Sequence, residues 1–543
     1  MSPPDSVAAL RGAVEDAAQA LRDGRPTEPR PTLERPPKAE LGDYSSNVAM
    51  LLAGSLGDNP RAVAERLRGQ LEADAALAPD LQRVEVAGPG FVNFFLADSW
   101  YLRALARLLE PGGALGASAA EAPEKALVEF VSANPTGPIH VGTGRHAAYG
   151  DSLVRLLEAA GHEVEREYYV NDAGSQIGRF ADSIAARMRG EEPPEDGYAG
   201  AYVGAIAERL QAEGVDPGDR ETLEARGIEE VLKEARGTLE RFGVRFDTWF
   251  SERSLYAKGE VETALAELEK RGHTYRHEDA LWLRTTEFGD DKDRVLIRSN
   301  GEATYLTPDI AYHWDKLQRG FDRLIDVLGA DHHGYVARMR AAIEALGADP
   351  ARFEALMMSL VHVVDSGERV QMSKRTGDFV TLDELIDDIG VDATRWFMLW
   401  RSHETTVDLD LELARRQSSE NPVYYVQYAH ARIASILRKA GEGAGPAAPS
   451  ARSPLEESEK VLVKRLLEFP EEVRAAAKRR APHRICAYST AVAADFHAFY
   501  RDCQVVGAGG EGVEASRLAL CLATKQTIAA ALGLLGISAP ERM

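Results

Sequence analysis

One strand–helix–strand pattern constrains the fold of this chain more than any other feature. The run ALVEFV at 126–131 is almost wholly apolar, which is typical of a parallel strand covered on both faces. After a loop rich in Gly and Pro, apolar residues recur at helical spacing from Leu153 to Ala160, and Gly161 ends the helix. A second strand-like run, VEREYYV, follows at 164–170. This order predicts a βαβ unit, and therefore an α/β fold with a parallel sheet.

The loop inside this unit, ANPTGPIHVGT at 133–143, lies at the start of the predicted helix. Free N–H groups and a partial positive charge at a helix start suit a phosphate, and His140 adds a further donor. The glycine spacing fits neither the dinucleotide fingerprint nor the P-loop, so a purely structural turn stays an equal alternative.

A second loop, QMSKRTGD at 371–378, follows a hairpin predicted around 365–368. Lys374 in this loop can clamp a polyphosphate as a point charge, although a solvated loop lysine is the alternative. We expect both loops at the carboxyl ends of the strands of one sheet, where doubly wound folds bind nucleotides.

The chain of 543 residues is too long for one hydrophobic core. Stretches rich in Gly, Ala, Pro and acidic residues predict loops or linkers at 110–124, 189–200 and 441–454. We therefore expect three units: a small α+β domain at 1–109, an α/β domain at 125–400 with a helical insertion at about 185–275, and an all-α domain at 413–543. Local patterns further predict a helix at 44–53 and a strand at 303–307.

Charge and cysteine content narrow the class of protein. With 64 Lys and Arg against 86 Asp and Glu, the net charge of −22 excludes a non-specific nucleic-acid coat protein. Residues 413–543 hold 18 Lys and Arg against 13 Asp and Glu, which indicates a local polyanion contact. Three cysteines without C-x-x-C spacing support neither a disulfide framework nor a zinc site. The most apolar stretch, 527–537, is too short for a membrane span and no secretory signal is evident, so we expect a cytoplasmic protein without membrane contact.

Both loops resemble known signatures. HVGT at 140–143 resembles the HIGH signature, and QMSK at 371–374 the KMSK signature, of class I aminoacyl-tRNA synthetases. Longer segments are similar to the arginyl-tRNA synthetase family, among them VEFVSANPTGPIHVG, VLGADHHGY, MSKRTGDFVTLDELID, ENPVYYVQYAHARI and the terminal PERM. The resemblance covers nearly the whole chain. It implies a Rossmann-like catalytic domain between an N-terminal domain that contacts tRNA and a helical anticodon-binding domain.

The resemblance implies an arginine–tRNA ligase. Such an enzyme joins L-arginine to ATP, which gives arginyl-adenylate and pyrophosphate, and then transfers arginine to tRNA(Arg) with release of AMP. This family needs its tRNA bound for the first step. Mg²⁺ is expected on the ATP phosphates and not in a dedicated protein site. We expect a monomer.

The resemblance also assigns residues to each ligand. His140 and Lys374 are the expected catalytic residues. ATP is expected at Pro135, Gly137, His140, Gly142, Thr143, Met372, Ser373 and Lys374. Arginine, whose guanidinium needs acceptors, is expected at Glu129, Asn134, Tyr305, Asp309 and His332. For tRNA the expected residues are Phe91, Asn93, Tyr424, Tyr428 and Arg432, with arginine and lysine near phosphates and tyrosines available for base stacking.

Several alternatives stay open at this point. Glu129 could be a surface acid, Tyr305 a core residue and His332 a structural histidine. The second signature histidine is replaced by Thr143, for which His146 one turn onward is a candidate substitute. The first KMSK position is Gln371. A small adenylate-forming ligase is disfavoured by the long helical tail, whereas Thr143 leaves room for a catalytically silent RNA-binding paralogue.

Overall fold

The chain begins with a four-stranded antiparallel sheet and its helices. The computed structural model describes residues 6–22, 30–110, 120, 122–370, 380–441 and 454–543, without the side chains of Asp331 and His333. The N-terminal elements are α1 (Ser6–Leu21), β1 (Leu33–Glu34), β2 (Tyr44–Ser46), α2 (Val48–Leu56), α3 (Pro60–Ala73), β3 (Leu81–Ala87), β4 (Phe91–Leu96) and α4 (Asp98–Leu108). The strand order is β1-β2-β4-β3. The helix predicted at 44–53 begins only at Val48, because Tyr44 pairs with Phe94 and extends the sheet.

The middle of the chain is built on a five-stranded, wholly parallel sheet. Its elements up to the first small sheet are β5 (Lys125–Glu129), α5 (Val141–Ala159), β6 (Glu163–Val170), α6 (Ser175–Met188), α7 (Ala201–Ala212), α8 (Arg220–Arg241), β7 (Thr248–Ser251), α9 (Glu252–Ala257), α10 (Glu260–Lys270), β8 (Thr274–His277), β9 (Ala280–Leu283) and β10 (Arg294–Ile297). There follow α11 (Leu306–Gln318), β11 (Arg323–Gly329), α12 (His333–Ala345), β12 (Phe353–Met358), β13 (Val361–Asp365), β14 (Glu368–Arg369), α13 (Leu382–Leu399), β15 (Val407–Asp410) and α14 (Leu411–Arg415).

The parallel sheet has the order β12-β11-β5-β6-β7. From the central β5 the chain proceeds outward to β6 and β7, and it returns later to β11 and β12 on the other side. The strand order therefore reverses between β5 and β11. In open α/β sheets the loops at such a point diverge and leave a crevice at the carboxyl ends of the strands.

Two sequence expectations about the middle region are corrected. The predicted helical insertion contains β7, a four-residue edge strand of the central sheet that is too short to stand out among helical patterns. The strand predicted at 303–307 is only a bridge between Ala303 and Ile297. Instead α11 begins at Leu306, with Pro308 in the first turn, where a missing N–H costs no helical hydrogen bond.

The second loop does not follow the central sheet, contrary to the expectation that one sheet carries both loops. The predicted hairpin is present as β13 and β14, in which Asp365 pairs with Glu368. These strands form a separate sheet of order β14-β13-β15, while β8, β9 and β10 form another small antiparallel sheet. The first loop follows β5 of the central sheet, whereas β14 is the last described strand before the second loop.

The last part of the described chain is helical. It comprises α15 (Pro422–Ala440), α16 (Glu457–Leu467), α17 (Phe469–Lys478), α18 (His483–Asp502) and α19 (Val513–Leu534). Ion pairs join this bundle to the N-terminal unit: Lys464 Nζ lies 2.8 Å from Asp43 Oδ1, and Lys460 Nζ 2.7 Å from Asp98 Oδ1. Among the helices that the structure describes, none is long and apolar enough to cross a bilayer.

Candidate active site

His140 caps the helix that follows the first loop. Its Nδ1 accepts a hydrogen bond from the Thr143 backbone N–H (3.3 Å), and its Nε2 lies 3.0 Å from Thr143 Oγ1. Because Nδ1 accepts, the neutral ring carries its proton on Nε2 and donates to the threonine hydroxyl. A Cβ at Gly142 would lie 3.0 Å from His140 Cε1, so a larger residue there would press on the folded-back ring. Thr143, which replaces the second signature histidine, thus anchors the first one.

The chain on the far side of the second loop is hydrogen-bonded to the His140 segment. Val141 N–H donates to the Val380 carbonyl (3.0 Å), and Leu382 N–H donates to the Ile139 carbonyl (2.8 Å). Thr381 pairs with His140 as an isolated bridge and caps α13. The predicted ATP residues Met372, Ser373 and Lys374 lie outside the described residues. The described end of that loop adjoins the start of α5.

Arg145 on α5 makes a second connection between these layers. Its guanidinium donates to the carbonyls of Ser359 (2.6 Å) and Leu360 (3.1 Å), next to β13. It also donates to the carbonyls of Ser402 (3.0 Å) and Thr405 (2.8 Å), ahead of β15. Burial lowers the pKa of Arg145 to about 10. The sequence analysis missed this residue, which holds the strands beyond β12 against the signature helix.

The backbone between β5 and the signature loop is strained. Val131 and Ser132 both have positive φ, 71° and 39°, a conformation that non-glycine residues adopt at a cost of order 1–3 kcal/mol. The Ser132 hydroxyl donates to Glu129 Oε1 (2.9 Å) and accepts from the Tyr169 N–H (3.1 Å), which holds this turn in place. Non-glycine strain of this kind is concentrated at functional sites.

The rest of the loop is closed by α6 and α7. Pro135 is buried, and the Tyr202 hydroxyl donates to the Thr136 carbonyl (2.7 Å). The same hydroxyl would lie 3.2 Å from a Cβ at Gly137. Asn134 is exposed, and its Oδ1 accepts from Gln176 Nε2 (3.4 Å).

Glu129 is buried, so the alternative of a surface acid is wrong. Its Oε2 accepts from Lys316 Nζ at 2.6 Å, and the same ammonium donates to Asp326 Oδ1 at 2.9 Å. Lys316 is 0% exposed. Burial is the largest effect on Glu129 and raises its pKa, against the opposing charge of Lys316. This predicted arginine residue therefore already has a cationic partner.

Asp309 and Glu252 form the contrasting pair. Neither carboxylate has a Lys or Arg partner within ion-pair distance among the residues the structure describes. Burial raises the pKa of Asp309 to about 7, with further raising effects from Glu252 and Glu129 and a lowering effect from His313. Burial also raises the pKa of Glu252, which is 9% exposed. Neutral donors face Glu252: the Tyr169 hydroxyl lowers its pKa, and the Asn171 side-chain amide donates to its Oε2 at 3.0 Å.

Asp309 and Glu252 together are two carboxylates that could bind a cationic ligand. Asp309 is in the first turn of α11, and Glu252 directly follows the carboxyl end of β7. The sequence analysis missed Glu252 because β7 itself was missed. Buried acids without a positive partner are costly, and a bound guanidinium would remove that cost.

Two other predicted arginine residues are at the surface. Tyr305, directly before α11, is 77% exposed, so the alternative of a core residue is wrong. His332 is exposed at the start of α12, with its ring perpendicular to that of Tyr335 at 6.3 Å. It follows β11, the strand on the far side of the switch point.

Rings and one guanidinium line a face between α15 and α18. Tyr424 and Tyr428 are stacked at 6.1 Å, and His497 lies 6.3 Å from Tyr428. The Arg432 guanidinium is 5.7 Å from the Tyr428 ring centroid and 4.7 Å from that of Tyr500. Tyr428 is 38% exposed.

In the N-terminal unit, the two residues predicted to contact tRNA differ. Phe91 is 39% exposed, whereas Asn93 is 4% exposed and accepts from Ser45 Oγ at 2.7 Å. A direct contact is compatible with Phe91. For Asn93 the tRNA contact stays a prediction, although little of this side chain is exposed.

Comparison with known families agrees with this geometry. The family model for the class I (R) tRNA synthetase catalytic domain matches residues 105–193 and 215–413, and the DALR anticodon binding domain matches residues 426–543. Together with the doubly wound sheet and the His140 helix start, these matches define a class I aminoacyl-tRNA synthetase. The arginyl tRNA synthetase N terminal domain matches residues 8–96.

Full-length relatives narrow the class. The chain is 47% identical over 530 residues to the arginine–tRNA ligase of Shouchella clausii, and the match covers 95% of each chain. It is 46% identical over 546 residues to the arginine–tRNA ligase of Bacillus subtilis, and that match covers 97% of this chain and 98% of the relative. The arginyl-tRNA synthetase structure of Thermus thermophilus superposes with a TM-score of 0.75 at 27% identity, covering 98% of this chain and 99% of that one. The chain belongs to the arginyl-tRNA synthetase family. It is an enzyme that ligates arginine to tRNA with ATP as substrate, and the resemblance read from its sequence is confirmed.

Proposed function

We propose that Asp309 and Glu252 hold the guanidinium of arginine in the activation reaction. The observation that carries this assignment is their contrast with Glu129: within the described part of the chain neither of these two acids has a Lys or Arg partner, while Glu129 is paired with Lys316. A guanidinium has five donors and no acceptor, so two carboxylates satisfy it. A neutral analogue such as citrulline leaves at least one buried acid without a positive partner and is rejected on that ground.

Asn134, Tyr305, Glu129 and His332 complete the proposed arginine site. The exposed Asn134 and Tyr305 are available to a substrate, and Glu129 lies at the end of β5 beside the strained turn. The α-ammonium group of the substrate arginine is proposed to lie near that turn, where it would be a second cation for the Glu129 carboxylate beside Lys316. His332 follows β11 and is exposed.

ATP is proposed to bind with its phosphates at the start of α5. His140, Gly142 and Thr143 form the first turn there, with Pro135 and Gly137 in the preceding loop. Helix N–H groups and the partial positive charge of the helix start stabilise phosphate charge. Met372, Ser373 and Lys374 are proposed on the other side of the phosphates.

In the reaction, the arginine carboxylate attacks the α-phosphorus of ATP, and pyrophosphate leaves. The protein supplies mainly position and charge, because no covalent intermediate with a side chain is needed. Lys374 is proposed to stabilise the charge that develops on the departing pyrophosphate, an interaction strongest in the transition state. Lys374 is six residues before Val380, so an extended chain of roughly 20 Å bounds its reach from the His140 segment.

The α15–α18 face is proposed to bind the anticodon region of tRNA. Tyr424 and Tyr428 would stack on unpaired bases, and Arg432 would contact a phosphate or a base plane. Phe91 is proposed to contact the body of the tRNA from the N-terminal unit. This assigns tRNA contacts to the units at 1–109 and 413–543, and the chemistry to 125–400.

We further propose that the enzyme acts as a cytoplasmic monomer and takes ATP as its Mg²⁺ complex. All three cysteines are buried free thiols, which suits a reducing compartment. Among the described residues no group of three or more His, Cys, Asp or Glu has the arrangement of a metal site. Phosphate oxygens are the usual Mg²⁺ ligands in such reactions.

Pyrophosphate exchange tests the assignment of Lys374. With arginine, ATP and tRNA present, the unaltered chain should exchange pyrophosphate into ATP, and Lys374→Ala should lower kcat by about 100-fold or more. Lys233→Ala, an exposed lysine on α8, is the control and should match the unaltered enzyme. Equal rates for the Lys374 and Lys233 variants would refute the role of Lys374.

A further inference from the structure

Charged side chains on one face of α11 hold this helix against the central sheet. Asp309, His313 and Lys316 recur at i, i+4 and i+7, which places them on the same face. His313 Nδ1 donates to the Asp309 carbonyl at 2.8 Å, and its Nε2 lies 3.0 Å from Asp326 Oδ2. Lys316 Nζ joins Asp326 on β11 to Glu129 on β5. The turn that carries Asp309 is therefore fixed to two parallel strands by side chains.

Lys316 also divides the acids of this region into two sets. Its ammonium lies 2.6 Å from Glu129 and 2.9 Å from Asp326, and it is 4.1 Å from the centroid of the Tyr312 ring. Glu129 and Asp326 are thereby compensated inside the protein. Asp309 and Glu252 are left as the acids that a substrate cation must compensate.

A second ion pair on the same helix offers a comparison. Arg319 contacts Glu167 of β6, with Nη1 2.7 Å from Oε2 and Nη2 2.8 Å from Oε1. Glu167 is fully buried and the Arg319 side chain is 26% exposed, so this pair is half-buried. Arg319 is ten residues from Asp309, or roughly 15 Å along a helix, and it has no contact with Glu129 or Asp326 in the described structure.

We propose that Lys316 is a positioning residue for arginine recognition, an inference that rests on the function proposed above. Its ammonium neutralises the charges of Glu129 and Asp326 next to the proposed arginine site. Through α11 it fixes the position of Asp309, and it leaves Asp309 and Glu252 as the acceptors of the guanidinium. His313 acts with it, because it ties the Asp309 turn to the same carboxylate.

The test compares variants of the full-length enzyme in tRNA-dependent pyrophosphate exchange. Lys316→Met removes the ammonium but leaves two buried acids without a cation, and some of this variant is expected to unfold. The double variant Lys316→Met with Asp326→Asn restores the charge balance and keeps the test valid. Arg319→Met is the control, because it removes the cation from another ion pair of the same helix, one whose acid is fully buried. Lys316→Arg tests whether a cation in the same place restores binding.

The expected result separates the substrates. The double variant should raise the KM for arginine about tenfold, leave the KM for ATP within about twofold and change kcat little. Arg319→Met should lower the melting temperature without raising the arginine KM, and Lys316→Arg should recover most of the arginine affinity. An unchanged arginine KM in a folded double variant, or an equal rise in Arg319→Met, would overturn the positioning role. Failure of the unaltered enzyme to activate arginine would refute the proposed site itself, before any variant is compared.

Discussion

Replacing Asp309 by Asn should weaken arginine binding and stabilise the arginine-free enzyme at the same time. The carboxylate is partly buried, has no Lys or Arg partner among the described residues, and has a pKa raised to about 7. Substrate guanidinium is the cation that would satisfy it. The amide keeps the shape of the side chain, removes the charge and points N–H donors at a group that has only donors.

The size of both effects follows from the structure. Hydrogen bonds to charged groups contribute about 1.5–3 kcal/mol, so the arginine KM should rise about 10- to 150-fold while the ATP KM stays nearly constant. The second effect concerns stability. An acid whose pKa is raised in the folded state destabilises the fold increasingly as pH rises above its unfolded-state pKa, and for Asp309 this destabilisation is complete above its folded-state pKa of about 7. The shift corresponds to at most about 4 kcal/mol at pH 8, and to less because the side chain is partly exposed.

Two measurements check this prediction. Pyrophosphate exchange with varied arginine or ATP gives the two KM values, and thermal unfolding at pH 8 without arginine should give a higher Tm for Asp309→Asn. Asp315→Asn on the same helix is the control, because Asp315 pairs with Arg319 at 3.0 Å and its replacement should leave the arginine KM unchanged. Equal shifts of both KM values, or a lower Tm for Asp309→Asn, would contradict the reasoning.

Three further outcomes are expected. The arginine KM of the unaltered enzyme should rise by up to about tenfold per pH unit as pH falls below 7, because Asp309 must lose its proton before it pairs with a cation. An arginine KM that stays constant from pH 8 to 6 would exclude a link between Asp309 protonation and arginine binding. Thr143→Ala should lower kcat more than Thr143→Ser, which keeps the hydroxyl that holds the His140 ring, and equal rates in the two variants would show that this contact is dispensable. Arg432→Gln should weaken tRNA binding and reduce the slope of log K against log salt concentration by about one if the guanidinium contacts a phosphate, whereas an unchanged slope assigns it to base stacking.

Much of the site could be predicted from local sequence. The helix start after β5 was predictable because a buried strand, a Gly-Pro-rich loop and an amphipathic helix each have a local pattern. His140 and Asp309 were assigned through the resemblance, which depends on residue identity and spacing. Glu252 was not found, since the strand before it has only four residues and lies within a long helical stretch. Lys316 was also missed, because a lysine on a helix is usually solvent-exposed.

The sequence by itself determined most of the elements, their chain order and the family, because strand and helix periodicity and the signature motifs are properties of neighbouring residues. Tertiary structure alone decided which acids are compensated. Glu129, Asp326 and Lys316 are far apart or unremarkable in the chain, and only the packing of α11 across β5 and β11 brings their charges within 3 Å. Ion pairing depends on distances in space and not on separation along the chain. Because the Coulomb energy of a buried pair is large, it distinguishes a carboxylate that is paired within the protein from one that is proposed to pair with a substrate.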